Sequence, residues 1–199
     1  MLRRIGVIVF GTLLVWIISI PFFTASMNSS RALFSGIDAN RECKQYAEAQ
    51  EIYHRTDYDG DGVLEYAQSF MGNYSLYEKK AGAGDLVFID QALARAEGMP
   101  GVASPKAGYV FKILKSQGPA APGGARSYLV PNATGGTDMT RGYALIAQPA
   151  EYDVTGCGCF MINNAGTIYE SDLGEHTAER VAKMTEFNPD PKEGWSPTE

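Results

Sequence analysis

From Ile5 to Phe23 the chain carries no charged side chain: Ile-Gly-Val-Ile-Val-Phe-Gly-Thr-Leu-Leu-Val-Trp-Ile-Ile-Ser-Ile-Pro-Phe-Phe. Wound as a helix, that run spans about 28 Å, close to the hydrocarbon thickness of a bilayer. No polar stripe interrupts it, so a buried core helix is disfavoured. A cleaved signal peptide is disfavoured too, because the run exceeds the usual apolar length and Pro21, Phe22 and Phe23 occupy the cleavage frame. Arg3 and Arg4 hold the preceding end in the cytoplasm. The reading is a retained single-pass anchor in a bacterial cytoplasmic (inner) membrane, with the rest of the chain in the periplasm. It divides the chain into a cytoplasmic stub (1–4), a transmembrane helix (5–24), a linker (25–37), an extracytoplasmic domain (38–188) and a Pro-rich tail (189–199).

Of 17 basic residues two, Arg3 and Arg4, precede the apolar run, so the remainder carries 15 basic against 23 acidic residues, a net charge of −8. A domain of that sign has no electrostatic case for nucleic acid or anionic headgroups. Beyond the linker, Asp38 is a helix N-cap, with Cys43, Tyr46, Ala47 and Tyr53 on one face up to Tyr53. A second helix is expected from Asp85, as cap, to Glu97, with Leu86, Ile89, Leu93 and Ala96 inward and Gly98 and Pro100 ending it. The period then changes to two. Strands are expected over Tyr109–Lys115, Ser127–Val130, Gly142–Gln148, Cys157–Asn163 and Thr167–Glu170, the last pair joined by a tight Asn163–Gly166 turn. A helix from Thr177 to Phe187 closes the chain. Helices, then an antiparallel meander, then a helix define an α+β domain with one sheet face covered by helix.

The stretches Asp57-Tyr-Asp-Gly-Asp-Gly-Val-Leu-Glu-Tyr-Ala-Gln68, Gly108-Tyr-Val-Phe-Lys-Ile-Leu-Lys-Ser-Gln-Gly-Pro-Ala-Ala-Pro-Gly-Gly124, Gly142-Tyr-Ala-Leu-Ile-Ala-Gln-Pro-Ala-Glu-Tyr152 and Phe160-Met-Ile-Asn-Asn-Ala-Gly-Thr-Ile-Tyr-Glu-Ser-Asp-Leu-Gly174, with Asn188-Pro-Asp, carry a resemblance. Over roughly three-quarters of its length the chain resembles a bacterial family of exported proteins known only as a domain of unknown function. The resemblance implies an exported or envelope protein. Here a membrane helix and short link replace the family's additional N-terminal region, which implies a membrane-tethered version. No activity comes with the resemblance. The layout of anchor, long helix and small sheet is also similar to that of pilins and pseudopilins, as architecture only.

Asp57-x-Asp59-x-Asp61-Gly62-Val63-x-Glu65 is the constellation with a clear chemical use. Alternate carboxylates in a tight loop converge on a hard cation, Val63 offers a carbonyl, and Glu65 a ligand directly or through water. A calcium ion bound weakly, with a structural role, is the expectation. The alternative is a solvated Asp/Gly turn that stops the first helix. Gly118, Pro119, Pro122, Gly123 and Gly124 form an ordered hairpin tip, read either as a contact loop or as a plain turn; they lack the Lys-Ser/Thr of a phosphate loop. Cys43, Cys157 and Cys159 read as one disulfide, with Cys43 in it, or as buried thiols, rather than as a redox pair. His54 and His176 read as surface histidines, Glu48, Glu51 and Glu65 as solvated carboxylates, and the many tyrosines as sheet packing.

These features predict a non-catalytic, membrane-anchored subunit. Its domain docks on a larger membrane assembly such as a bioenergetic complex. Its partners are integral membrane proteins and the lipid around the anchor, and nucleic acid is not among them. A minor pilin-like component of an export or fibre machine and an envelope enzyme are the alternatives.

Overall fold

The computed structural model describes residues 35–78 and 84–198. The stub 1–4, the apolar segment 5–24 and linker residues 25–34 lie outside the described residues. Among those described, no helix is long and apolar enough to cross a membrane.

The first helix, α1, occupies residues 35–53. Ala39, Glu42, Cys43, Tyr46, Ala49, Gln50 and Tyr53 are its buried positions, at the three- and four-residue spacing of a helix face. Asp38 lies inside this helix and is not its cap. Its carboxylate instead pairs with Arg41 at 2.8 Å, because the helix runs further back, where a β-carbon on Gly36 would stand 3.5 Å from the Phe160 ring. Strands β1 (Tyr77–Glu78) and β2 (Leu86–Val87) form a small antiparallel pair. The helix expected from Asp85 therefore does not form there. Helix α2 is Gln91–Arg95, capped by Asp90, whose side chain accepts from the Leu93 N–H. Asp90 offers the same capping chemistry as Asp85 at a point where the backbone is free of strand pairing. Ile89, Leu93 and Ala96 are still buried.

The chain then enters β3 (Tyr109–Leu114) and two hairpins, β4 (Ser116–Gln117) with β5 (Arg126–Ser127) and β6 (Leu129–Pro131) with β7 (Thr137–Met139). It returns through β8 (Ala144–Pro149), β9 (Gly158–Asn163) and β10 (Ile168–Asp172), crosses α3 (Thr177–Lys183), and closes with a 3-10 turn at Pro191–Glu193 and β11 (Ser196–Pro197). The main sheet is antiparallel, in the order β11-β10-β9-β8-β3. The sequence-derived meander thus holds for β8 to β10, with two hairpins inserted before it.

Cross-strand partners share a face, and two adjacent rows show what covers each side. Phe111, Ala147, Phe160 and Glu170 form one row, and Phe111 lies 6.4 Å from the Phe70 ring beneath Tyr46 of α1. Lys112, Ile146, Met161 and Tyr169 form the next row. On that side the Lys112 ammonium donates to the carbonyls of Val181 (3.1 Å), Ala182 (3.0 Å) and Met184 (2.6 Å), capping the end of α3. Tyr169 meets Phe187 edge-on at 5.9 Å. Both sheet faces are therefore covered, and the expectation of one covered face is corrected. The near-continuous burial of β3, β8 and β9 follows from it.

The Pro-rich segment 189–199 does not behave as a tail. Asp190 caps the 3-10 turn, Trp195 is buried, and β11 supplies the sheet's edge. Helix α3 stops at Lys183, short of the expected Phe187, because its last carbonyls go to Lys112 and Phe187 bonds the β4 backbone instead.

The tyrosines pack as expected and each buried hydroxyl finds a partner: Tyr46 on Ala144 O, Tyr53 on Tyr74 O, Tyr109 on Gly158 O and Tyr143 on Ala47 O. Gln50 closes a buried two-way bond with the backbone of Ala67 and also donates to Tyr46 at 2.9 Å.

Glu97 is half-buried, and its carboxylate accepts the Phe70 N–H at 2.7 Å. Burial outweighs that bond and pushes its pKa above the ordinary value. A carboxyl raised in the folded state favours folding below its unfolded pKa and loses that contribution as pH rises through the folded value. Glu97→Gln keeps an acceptor without the buried charge. Its denaturant midpoint should therefore exceed wild type at pH 8, with the advantage shrinking toward pH 5. An advantage that does not change with pH would show that Glu97 is not the titrating group.

Candidate functional site

The Asp loop follows α1 directly. Asp57 Oδ1 accepts from Gly60 N at 2.7 Å and Oδ2 from Gly62 N at 2.8 Å. Asp59 accepts from Asp61 N at 3.3 Å, and Asp61 from Val63 N at 2.8 Å. Gly60 and Gly62 have φ of 80° and 88°, a conformation costly for any side chain with a β-carbon. The turn brings one carboxylate oxygen from each of Asp57, Asp59 and Asp61 within 4.8 Å of the others. Hard oxygen donors at that separation suit a hard cation. The Gly62 and Gly60 N–H groups hold Asp57 below the ordinary carboxylate range. Asp59 is pushed above it, first by partial loss of water and then by its two acidic neighbours.

Glu65 does not join the triad. Its carboxylate accepts from Met139 N at 3.4 Å, is half-buried, and is raised by desolvation and then by Asp138 and Asp59. It is therefore not a solvated carboxylate, whereas Glu48 and Glu51 are exposed on α1. Val63 is exposed beside the loop.

The second constellation is the tip between β4 and β5. Pro119, Ala120, Pro122 and Gly123 are exposed. Beneath them Gln117 is fully buried, and its Nε2 donates to the carbonyls of Pro122 (2.9 Å) and Gly124 (2.6 Å). Its Oε1 accepts the Tyr128 hydroxyl at 2.9 Å, and Asn163 Nδ2 donates to that hydroxyl at 3.4 Å. On the other flank Asn188 Oδ1 accepts from Ala120 N at 2.8 Å, and Gly118 N donates to Phe187 O. The loop is thus a crest held from below by Gln117 and from the side by the Asn188 segment. Sequence spacing identified the crest and missed Gln117, Tyr128, Asn163 and Asn188. A glutamine inside a strand carries no signal that it will clamp a loop five to seven residues ahead.

The three cysteines are free thiols. Cys43 lies on the α1 side of the sheet, while Cys159 shares the parity of Met161 and faces the α3 side, so the sheet separates them. Cys43 and Cys159 accordingly stand as unpaired thiols on opposite faces. Burial pushes the Cys43 thiol up and that of Cys159 to about 12; Cys157, bonded to Asp153 at 3.6 Å, is raised by desolvation and then by that carboxylate. None has the lowered pKa of a reactive thiol. The glycines around Cys157 serve packing: a β-carbon at Gly156 would fall 2.3 Å from the Tyr109 hydroxyl. His176 is exposed and pairs with Glu179 at 3.2 Å. His54, expected at the surface, is half-buried and stacks on Tyr66 with centroids 4.1 Å apart.

A family model described as "Protein of unknown function (DUF2950)" matches residues 24–197. The chain belongs to that family. The match ends at Pro197, the last residue of β11, and includes the Asp loop, the crest and the segment 189–197. No curated protein and no solved structure matches this DUF2950 chain.

Proposed function

We propose that this DUF2950 protein is a non-catalytic, membrane-anchored subunit whose periplasmic domain docks on a larger membrane assembly through the Gly118–Gly124 crest. The observation that carries the reading is the Gln117 clamp. A buried amide donates two hydrogen bonds to an exposed loop made of Pro, Ala and Gly, and is itself held by a third from the Tyr128 hydroxyl. A rigid apolar tip loses little conformational entropy on contact, which is the physical advantage of preorganisation in an interface. Native mass spectrometry of the full chain after mild detergent extraction tests it. The expected result is a stoichiometric complex with integral membrane proteins, lost in Ala120→Arg although that variant keeps the wild-type circular dichroism. A protein that runs alone, or an Ala120→Arg complex that stays intact, overturns the reading.

A second role is favoured by the convergence of Asp57, Asp59 and Asp61. Weak calcium binding there, with Kd about 10⁻⁴–10⁻³ M, braces the turn that leads from α1 toward Ala67. Calorimetric titration with calcium should give a saturable signal in that range, weakened at least about tenfold by Asp59→Asn. Identical traces for both proteins, or a melting temperature indifferent to calcium and chelator, would remove this role.

A further inference from the structure

The crest ends on an arginine placed for recognition. Arg126 is exposed, and its guanidinium carbon lies 5.9 Å from the centroid of the Tyr128 ring. One of its terminal nitrogens is 3.8 Å from where a β-carbon of Gly123 would stand. The ring beneath it is fixed by the hydroxyl bonds to Gln117 and Asn163. The guanidinium thus lies over a clamped aromatic face within cation–π range, which lowers the entropy it loses on binding. No carboxylate among the described residues lies within ion-pair distance of it. The N–H of Gly123 makes no hydrogen bond among the described residues either, so a charged fork and an unbonded backbone donor belong to the same exposed tip. Glu186 lies at the crest's other foot, where a β-carbon on Gly118 would fall 2.5 Å from its Oε1.

We infer that the crest recognises a carboxylate on the partner protein, an Asp or Glu side chain, with Arg126 as the contact residue and the Gly123 N–H as a second donor. The inference rests on the docking role of the crest. A planar carboxylate matches the guanidinium fork in a bidentate contact and accepts a further N–H. The net negative charge of the domain opposes long-range attraction of an acidic partner. Selectivity therefore comes from this short-range geometry, and Arg126→Lys, which keeps the charge and loses the fork, is not conservative.

The test uses the full chain, nitrogen-15 labelled in detergent, titrated with sodium acetate, sodium chloride and inorganic phosphate. Acetate should move the Gly123 N–H and Arg126 Nε–H resonances saturably while chloride does not. Arg126→Gln should weaken the Gly123 response about tenfold or more, and Arg126→Lys should fall between. The Tyr128 and Gln117 resonances check that each variant keeps the crest folded. No saturable acetate shift overturns the inference. A response to phosphate alone also overturns it and points to a lipid headgroup. The docking role is judged separately, by the Ala120→Arg complex. If acetate fails while Ala120→Arg still strips the partners, the carboxylate assignment falls and docking stands. If Ala120→Arg leaves the complex intact, docking itself falls.

Discussion

Replacing Lys106 with methionine should lower the unfolding free energy by about 3–5 kcal/mol, the largest effect expected of any single substitution outside the apolar core. Lys106 Nζ donates to Glu42 Oε2 at 2.6 Å and also to Asp90 Oδ2. The Glu42 side chain is 3% exposed and that of Lys106 18%, so little water screens the contact. Asp90 is half in solvent and stays hydrated without its partner. Glu42 is different. Arg41 reaches its other oxygen only at 3.7 Å and is itself well exposed, so loss of Lys106 strands a buried carboxylate. Residues from α1, the α2 cap and the turn entering β3 are joined by this one ammonium, and the loss should appear as a lower denaturant midpoint with an unchanged m-value. Glu42→Gln combined with Lys106→Met should recover most of it, since an apolar or neutral replacement of both partners removes the stranded charge. A double variant no better than the single would show that packing of the Lys106 stem, not charge, was lost.

Gln117→Leu should cost about 2–3 kcal/mol and release the crest. Leucine matches the volume and leaves three former partners, the Pro122 and Gly124 carbonyls and the Tyr128 hydroxyl. The two carbonyls lie near solvent and can be rehydrated, so most of the penalty falls on the buried hydroxyl. Hydrogen exchange should accelerate at Gly124, whose N–H bonds Ala121 O, while the β8 and β9 amides change only with global stability. On the docking reading the same variant weakens the complex even where it is fully folded, because the crest must then be ordered on contact. Unchanged exchange at Gly124 would mean that the prolines alone hold the loop.

The elements most legible in the sequence were those whose signal is local. Alternation from Tyr109 and the tight turn at Asn163–Gly166 located β3, β8, β9 and β10 to within a few residues. The α1 face was readable because its buried residues recur at helical spacing. The failures came where two local signals competed. Asp38, Asp85 and Asp90 are equally good caps in isolation, and pairing of Leu86–Val87 with Tyr77–Glu78 selected Asp90. Residues 189–199 looked like a tail because prolines are poor strand formers. At the sheet edge Pro197 needs no outward N–H, and Trp195 supplies the burial.

By itself the sequence determined the α+β class, the antiparallel character of the sheet, the family, and the convergence of Asp57, Asp59 and Asp61, since these depend on period, composition and residues within a few positions of each other. Only the tertiary structure decided that both sheet faces are covered, that Cys43 and Cys159 stand on opposite sides, and that Gln117, Tyr128, Asn163 and Asn188 hold the crest. Those outcomes join residues far apart in the chain: Ala120 and Asn188 are separated by 68 positions, Lys112 and Met184 by 72, and Tyr46 and Ala144 by 98. The chain pays loop-closure entropy to bring such residues together, and what selects the pairing is the combined burial and hydrogen bonding of the whole domain, which no local stretch encodes.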